Sequence, residues 1–332
     1  MKLYLLPLAC LGAFFLFSFH RPALHEFKIN GEAQGTTYAL SYYAADSVVG
    51  KQQVDSILNV IDLSMSLYRA NSTISRFNQS AKGLKLDAHF LKVVQKSFEI
   101  YRDTKGIFDI TVEPLVNYWT RAKHDPNHVD SAKVKQLLPL VGMDKLQLKG
   151  NHLAKQKPAM HVDVNGIAQG YSVDVLADFL DKHHVVAYVV EIGGEIRLKG
   201  PKPDGKHMRI GIEGPDSERG GAPTIKHVLA TNQGAITTSG NYRGYLETKR
   251  MSYLINPQTG FPLNGEIISA TVYAKDGITA DGYDNVLMAM KVGEALRFVD
   301  RHKDLEAYLI YKRADGKLAD TASTGFKKML AN

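Results

Sequence analysis

The sequence predicts an α+β protein in which mixed sheets are packed by helices. Segments with apolar residues at helical spacing and short alternating strands interleave along the chain, and they lack the regular strand-helix-strand rhythm of a doubly wound sheet. Composition agrees: of 332 residues, 44% are hydrophobic, enough for a sizeable core and incompatible with a disordered or collagen-like chain. The 41 Lys and Arg against 34 Asp and Glu give a net charge of +7. That excess is spread out, and no basic block is interleaved with aromatics, so a nucleic-acid partner is not expected. At most the charge suits an anionic small ligand or a place beside an anionic membrane. The single Cys allows neither an intramolecular disulfide nor a thiolate metal site.

The elements follow in chain order. After Lys2, an apolar run from Leu3 to Phe19 ends at His20-Arg21-Pro22, as an export signal does. At about 17 residues it also reaches the lower limit for a spanning helix, so residues 1–22 are either a signal peptide or an N-terminal membrane anchor. Either reading places the rest on the extracytoplasmic, periplasmic side, exported or anchored to the inner membrane. Cys10 follows a poor lipidation box, Pro7-Leu8-Ala9, and the apolar run continues beyond it. No internal repeat or long linker divides the remainder, so residues 23–332 are expected to form one domain. Phe27 to Ile29 and Thr37 to Tyr43 alternate as a β-hairpin. Val48 to Leu67, Leu91 to Tyr101, Val134 to Leu140 and Ser172 to His183 carry helical spacing. Val185 to Ile192 and Ile196 to Lys199 read as strands around Gly193-Gly194. Beyond them, Met208 to Ile212, His227 to Thr231, Ile236 to Thr238, Tyr253 to Ile255 and Ile268 to Tyr273 read as short strands.

Phosphate-binding glycine loops, a His-Glu-x-x-His pair, a Gly-x-Ser-x-Gly elbow and EF-hand spacing do not occur. Two acidic clusters stand out instead. Asp163-Val164-Asn165-Gly166-Ile167-Ala168-Gln169-Gly170-Tyr171 precedes an amphipathic run. An acid and two glycines before a helix can set a carboxylate and free backbone groups against a ligand, or can merely cap the helix. In Thr279-Ala280-Asp281-Gly282-Tyr283-Asp284-Asn285, a helix starting near Ala280 would put Asp281, Asp284 and Asn285 on one face. Three oxygen donors there suit a hard cation such as Mg²⁺; the alternative is that acids in a first turn complement the helix dipole. Ser66 to Asn78 and Gly106 to Asn117 mix aromatics, acids and hydroxyls. That is what a planar heterocycle with a sugar chain requires, and also what an ordinary half-buried loop contains.

Taken together and in order, Gly35 to Tyr38, Ser66 to Asn78, Phe108 to Asn117, Asp163 to Asp174, Ile192 to Ile196, Thr238 to Arg243, Ile255 to Gly260 and Thr279 to Asn285 resemble the ApbE-like flavin transferases, the FAD:protein FMN transferases. The resemblance spans about residues 33 to 328. It implies an ApbE-like flavin transferase fold and an Mg²⁺-dependent enzyme that moves FMN from FAD to a threonine hydroxyl, releasing AMP. The acceptor would be an exported or membrane redox protein. It further implies that the flavin nucleotide lies at Gln34, Tyr68, Ile107, Phe108, Asp109, Asp163, Gln169 and Ile255, and that Mg²⁺ is held by the Gly166 carbonyl, Asp281, Asp284 and Asn285.

The sequence departs from that pattern in places. Asn285 stands where Thr is usual, Gln34 where Met is usual, and Gln169 where Lys or Glu is common. Tyr253 occupies the position of a His that would act as general base toward the acceptor. An ordinary phenol, with a pKa near 10, is a poorer base than imidazole at neutral pH. Hydrolysis of FAD to FMN and AMP, and extracytoplasmic FAD binding without chemistry, are the alternatives.

Overall fold

The computed structural model describes residues 23–122, 130–215, 224–241 and 252–331. The apolar leader, residues 1–22, and Tyr242 and Arg243 of the sixth motif lie outside those residues. In chain order the strands are β1 (His25–Ala33), β2 (Thr36–Ala44), β3 (Gly83–Lys85), β4 (Leu146–Lys149), β5 (His152–Lys155), β6 (Ala187–Ile192), β7 (Glu195–Lys199), β8 (Met208–Glu213), β9 (Ile225–Thr231), β10 (Gln233–Gly240), β11 (Ile267–Ala274), β12 (Leu305–Lys312) and β13 (Leu318–Ala322). The helices are α1 (Lys51–Met65), α2 (Thr73–Gln79), α3 (Ala88–Asp103), α4 (Glu113–Ala122), α5 (Ser131–Leu137), α6 (Ala168–Lys182), α7 (Gly277–Met288), α8 (Val292–Arg301) and α9 (Thr324–Met329).

One eight-stranded sheet, in the order β1-β2-β6-β7-β10-β11-β12-β13, organises the chain, and every neighbouring pair in it is antiparallel. Because side chains alternate across a strand, central strands such as β6, β10, β11 and β12 feed two cores. Tyr188, Val190 and Ile192 of β6 and Leu305, Ala307 and Leu309 of β12 pack with the buried faces of α1, α3, α6 and α7. Ala187, Tyr308 and Ile310 point the other way, to a smaller core shared with the β8–β9 hairpin and Phe326 of α9. Leu115 and Trp119 of α4 and Val134 of α5 form a third cluster with Ile255 at its edge, closed where the Trp119 indole N–H donates to the Gly260 carbonyl at 2.7 Å. The mixed architecture is thus the expected one, and it includes the predicted β1–β2 hairpin and the strands flanking Gly193-Gly194.

Several sequence expectations change. Tyr253 to Ile255 is not a strand; a lone bridge between Ile255 and Pro262 is all the pairing it makes. Asn256 diverts this backbone, its side-chain oxygen accepting from the N–H groups of Gln258 and Thr259 and its carbonyl from Gly260. Helix α6 starts at Ala168, so Gly170 lies inside its first turn rather than before it. Helix α7 starts at Gly277, capped by the Asp276 side chain accepting from Thr279 N–H at 3.1 Å. Asp281 and Asp284 therefore sit beyond the first turn, and dipole complementation does not account for them. Residues 110–122 are a 3₁₀ turn running into α4, and the C-terminal part contains α8, α9, β12 and β13 besides the short strands expected there.

Candidate active site

The two acidic clusters meet because α6 and α7 cross almost backbone to backbone. A Cβ placed on Gly170 would come within 2.3 Å of the Gly277 carbonyl oxygen, and one on Gly277 within 2.3 Å of the Gly170 carbonyl oxygen. Only glycine permits this approach. Asp174 of α6 locks the crossing by accepting from Gly277 N–H at 2.7 Å and Ile278 N–H at 2.9 Å. Burial raises its carboxyl to about 6, an effect that those two amides and Arg197 oppose. Gly282, an odd residue inside a helix, lies against α3, where a Cβ would strike Ile100 at 2.3 Å.

The crossing opens a cavity of about 480 Å³, within the range of small-molecule sites. Its wall holds Ile107, Phe108, Asp109, Asp163, Gln169 and Ile255 from the nucleotide positions implied by the resemblance, all four metal positions, and Tyr253. Gln34 and Tyr68 are not brought to this wall. Gln34 has a left-handed backbone and donates from Nε2 to Ser172 Oγ at 2.7 Å, leaving its Oε1 buried without a partner. Tyr68 projects into solvent and is 92% exposed. Asp109 is buried, and both its oxygens are occupied. Oδ1 accepts from the N–H and hydroxyl of Thr111, and Oδ2 from Met143 N–H at 3.1 Å. Asp163 keeps one oxygen free, since Oδ1 alone accepts from Asn165 N–H at 2.8 Å. Burial raises its carboxyl to about 6.

The oxygen-rich end of the cavity meets the test for a hard cation in part. Asp284 is 2% exposed, and its Oδ1 has no hydrogen-bond partner. Asp281 is 4% exposed, with Oδ2 accepting from Gly170 N–H at 2.8 Å. Burial pushes both carboxyls well above the ordinary range, and Asp281 raises Asp284 further. Such groups are stabilised by a cation or by protonation. Asn285 is turned the other way: its Oδ1 accepts from Ser239 Oγ at 2.9 Å, while its amide nitrogen faces the Gly166 carbonyl at 3.5 Å. An oxygen from Asn285 would require the amide to turn over. Among the described residues, no three or more His, Cys, Asp or Glu side chains form a ready-made metal cage. The fit is therefore to a cation taking one or two carboxylates and filling its shell with water or phosphate, as Mg²⁺ does.

Tyr253 touches this end through Ser239, whose hydroxyl lies 2.9 Å from the phenol oxygen. Burial raises the phenol above its ordinary value, Ser239 lowers it, and Asp284 and Glu195 raise it further. It remains protonated at neutral pH. Ser239, which links Tyr253 to Asn285, and Glu195, which lines the cavity with Oε2 buried and unpartnered, lie in segments that carry the resemblance but had no role in the sequence reading. Glu195 was visible only as the acid after Gly193-Gly194; nothing local shows that a hairpin tip between β6 and β7 faces α7.

The model of the ApbE family matches residues 34–309. The FAD:protein FMN transferase of Vibrio cholerae is 35% identical over 322 residues, covering 94% of each chain. That of Haemophilus influenzae is 33% identical over 318 residues, covering 91% of each. Among solved structures, the flavin transferase ApbE from Vibrio cholerae superposes with a TM-score of 0.81 at 32% identity, covering 92% of this chain and 100% of that one. The apo flavinyl transferase ApbE of Pseudomonas stutzeri gives 0.81 at 28% identity, over 93% and 98%.

Proposed function

This chain belongs to the ApbE family, and from that membership we propose that it transfers FMN from FAD to a threonine hydroxyl of a protein acceptor, with Mg²⁺ as cofactor and on the extracytoplasmic side. Transfer of FMN from FAD to a protein, with release of AMP, is the activity that the relatives named above support. Threonine, Mg²⁺, the location and the individual site residues are our reading. The observation that carries it is the convergence of the Asp163 and Asp281 segments on one cavity across the Gly170–Gly277 crossing.

In this reaction the acceptor oxygen attacks the phosphorus on the FMN side of the pyrophosphate. The bond from that phosphorus to the bridging oxygen breaks, AMP leaves with that oxygen, and the hydroxyl proton passes to solvent or to the departing phosphate. Such a displacement calls for charge neutralisation and in-line positioning more than covalent help. Asp281, Asp284 and the Gly166 carbonyl would hold Mg²⁺, with Asn285 after rotation of its amide, and the cation would supply charge neutralisation at the pyrophosphate. Ile107, Phe108 and Ile255 supply apolar wall for the flavin, and Asp163 offers a free carboxylate oxygen to a nucleotide hydroxyl. Tyr253, held protonated, serves as a hydrogen-bond donor beside the cation and not as a base. Gln34 and Tyr68 would join the nucleotide only by moving toward the cavity.

Products test the reading. Incubation of the protein with FAD, Mg²⁺ and a threonine-containing acceptor should give an in-gel fluorescent acceptor band and AMP in equal amounts. Free FMN with AMP would mark hydrolysis instead, and unchanged FAD a binding protein. Export is tested separately, by protease accessibility of the protein in spheroplasts against intact cells.

A further inference from the structure

The cavity carries an acid that no metal or nucleotide role accounts for. Glu195 lines the cavity from the start of β7, after Gly193 and Gly194, whose φ angles of 64° and 112° make the turn from β6. Its Oε2 is buried without a hydrogen-bond partner, although its neighbour Glu191 is satisfied by Gly194 N–H at 2.7 Å. Burial raises its carboxyl, and the negative charge of Asp281 raises it further. A second orphan, Asp284 Oδ1, opens on the same cavity from a residue that is 2% exposed.

The charge inventory sharpens the point. Asp109, Asp163, Glu195, Asp281 and Asp284 line the cavity, and no Lys, Arg or His does among the described residues. Gln169 lines the same corner; a Cβ on Gly193 would lie 3.2 Å from Gln169 Nε2 and 3.3 Å from Glu195 Oε2. An amide there leaves the carboxylate uncompensated. A pyrophosphate entering this cavity adds further negative charge to it. Buried acids of this kind persist when a cation offsets them.

We infer that Glu195 is an outer anchor for the divalent cation, accepting hydrogen bonds from water molecules in the shell of the ion held by Asp281 and Asp284. The inference rests on the proposed cation site. It accounts for two facts at once. The three acids do not close into a cage, as direct ligation by all of them would require. Glu195 nevertheless buries an acceptor oxygen with nothing to accept from. Mg²⁺ keeps several waters when bound by few carboxylates, and each bound water needs an acceptor. Outer-shell groups of this kind typically change metal affinity about 10–100-fold.

The test is direct binding of Mn²⁺, read by the loss of the free-ion electron paramagnetic resonance signal, for wild type, Glu195→Gln, Glu195→Asp and Asp284→Asn. Circular dichroism and melting temperature check the fold of each. We expect Glu195→Gln to weaken Mn²⁺ binding at least tenfold. Glu195→Asp should weaken binding too, since the shorter side chain withdraws the acceptor oxygen while keeping the charge, and it keeps the inference testable if the Gln variant does not fold. Unchanged Mn²⁺ affinity in both variants, with Asp284→Asn abolishing it, overturns the role of Glu195 and leaves the cation site standing. No Mn²⁺ binding by the wild type overturns both.

Discussion

Tyr253 is the residue at which sequence pattern and local chemistry pull apart. On the resemblance it would stand where the family carries a histidine, yet its phenol, half exposed on the cavity wall, is kept above its ordinary value by desolvation and the nearby acids. If transfer is limited by removal of the acceptor proton, Tyr253→His should raise the initial rate of FMN transfer, since imidazole is largely unprotonated at neutral pH. A general base typically contributes about 10²–10⁴-fold, so partial restoration is measurable. Tyr253→Phe separates the alternatives: a wild-type rate across pH 6 to 9 removes the hydroxyl from the mechanism, and a loss shows that donation through Ser239 matters. Asp163 is predicted to bind nucleotide through its free oxygen. Asp163→Ala should weaken FAD binding by about 1–3 kcal/mol, read by quenching of flavin fluorescence, with folding intact. Asp281→Ala and Asp284→Ala should abolish turnover at limiting Mg²⁺. Wild-type rates in both would show that these acids only shape the helix.

Between elements, the decisive contact is the crossing of α6 and α7. Gly277→Ala drives a methyl group into the Gly170 carbonyl and against Val173, a collision of backbone that no rotamer relieves. Overpacking typically costs about 1–3 kcal/mol, and here it should also separate the two acidic segments. We expect a lower urea midpoint and loss of cation binding together. Gly293→Ala is the control. Near the start of α8 its methyl meets nothing closer than the flexible end of Arg297 at 3.4 Å, and it should be neutral or mildly stabilising. Equal urea midpoints for the two variants would show that the crossing has slack.

For the whole molecule, the buried acids make stability depend on pH in an unusual direction. Asp163 and Asp174 have carboxyls raised to about 6 from an ordinary value near 3.8, chiefly by burial. A raised acid favours the protonated native form. Its contribution is complete below the ordinary value and is lost as pH rises through about 6. Without metal or nucleotide, the melting temperature should therefore fall between pH 4 and 7. Added Mg²⁺ with FAD should flatten that fall, because ligands that bind only the folded form stabilise it by mass action. A melting temperature that climbs steadily over the same range without ligand would contradict the burial of these groups.

How much of this the sequence contains depends on the range of the interaction. Alternation in Thr37 to Tyr43 and helical spacing in Leu91 to Tyr101 are local, and both elements lie where those patterns place them. The eight ordered motifs carry the family, because a resemblance needs no knowledge of which segments touch. By itself, then, the sequence determined the α+β class, the family and the identity of the acidic segments. The tertiary structure alone decided that Asp163 and Asp281 share a cavity, that Gly170, Gly277 and Gly282 are there to let helices approach, and that Glu195 reaches the same space. It also limits Tyr253 to Ile255 to a single bridge with Pro262, because the Asn256 side chain accepts from Gln258 and Thr259 and closes a tight turn directly after it. The Asn256 turn is local; for the cavity and the helix crossing the physical reason is shared. Periodicity records which face of an element is buried, whereas the partner it is buried against, and the charge that burial brings together, exist only once segments far apart in the chain are in contact.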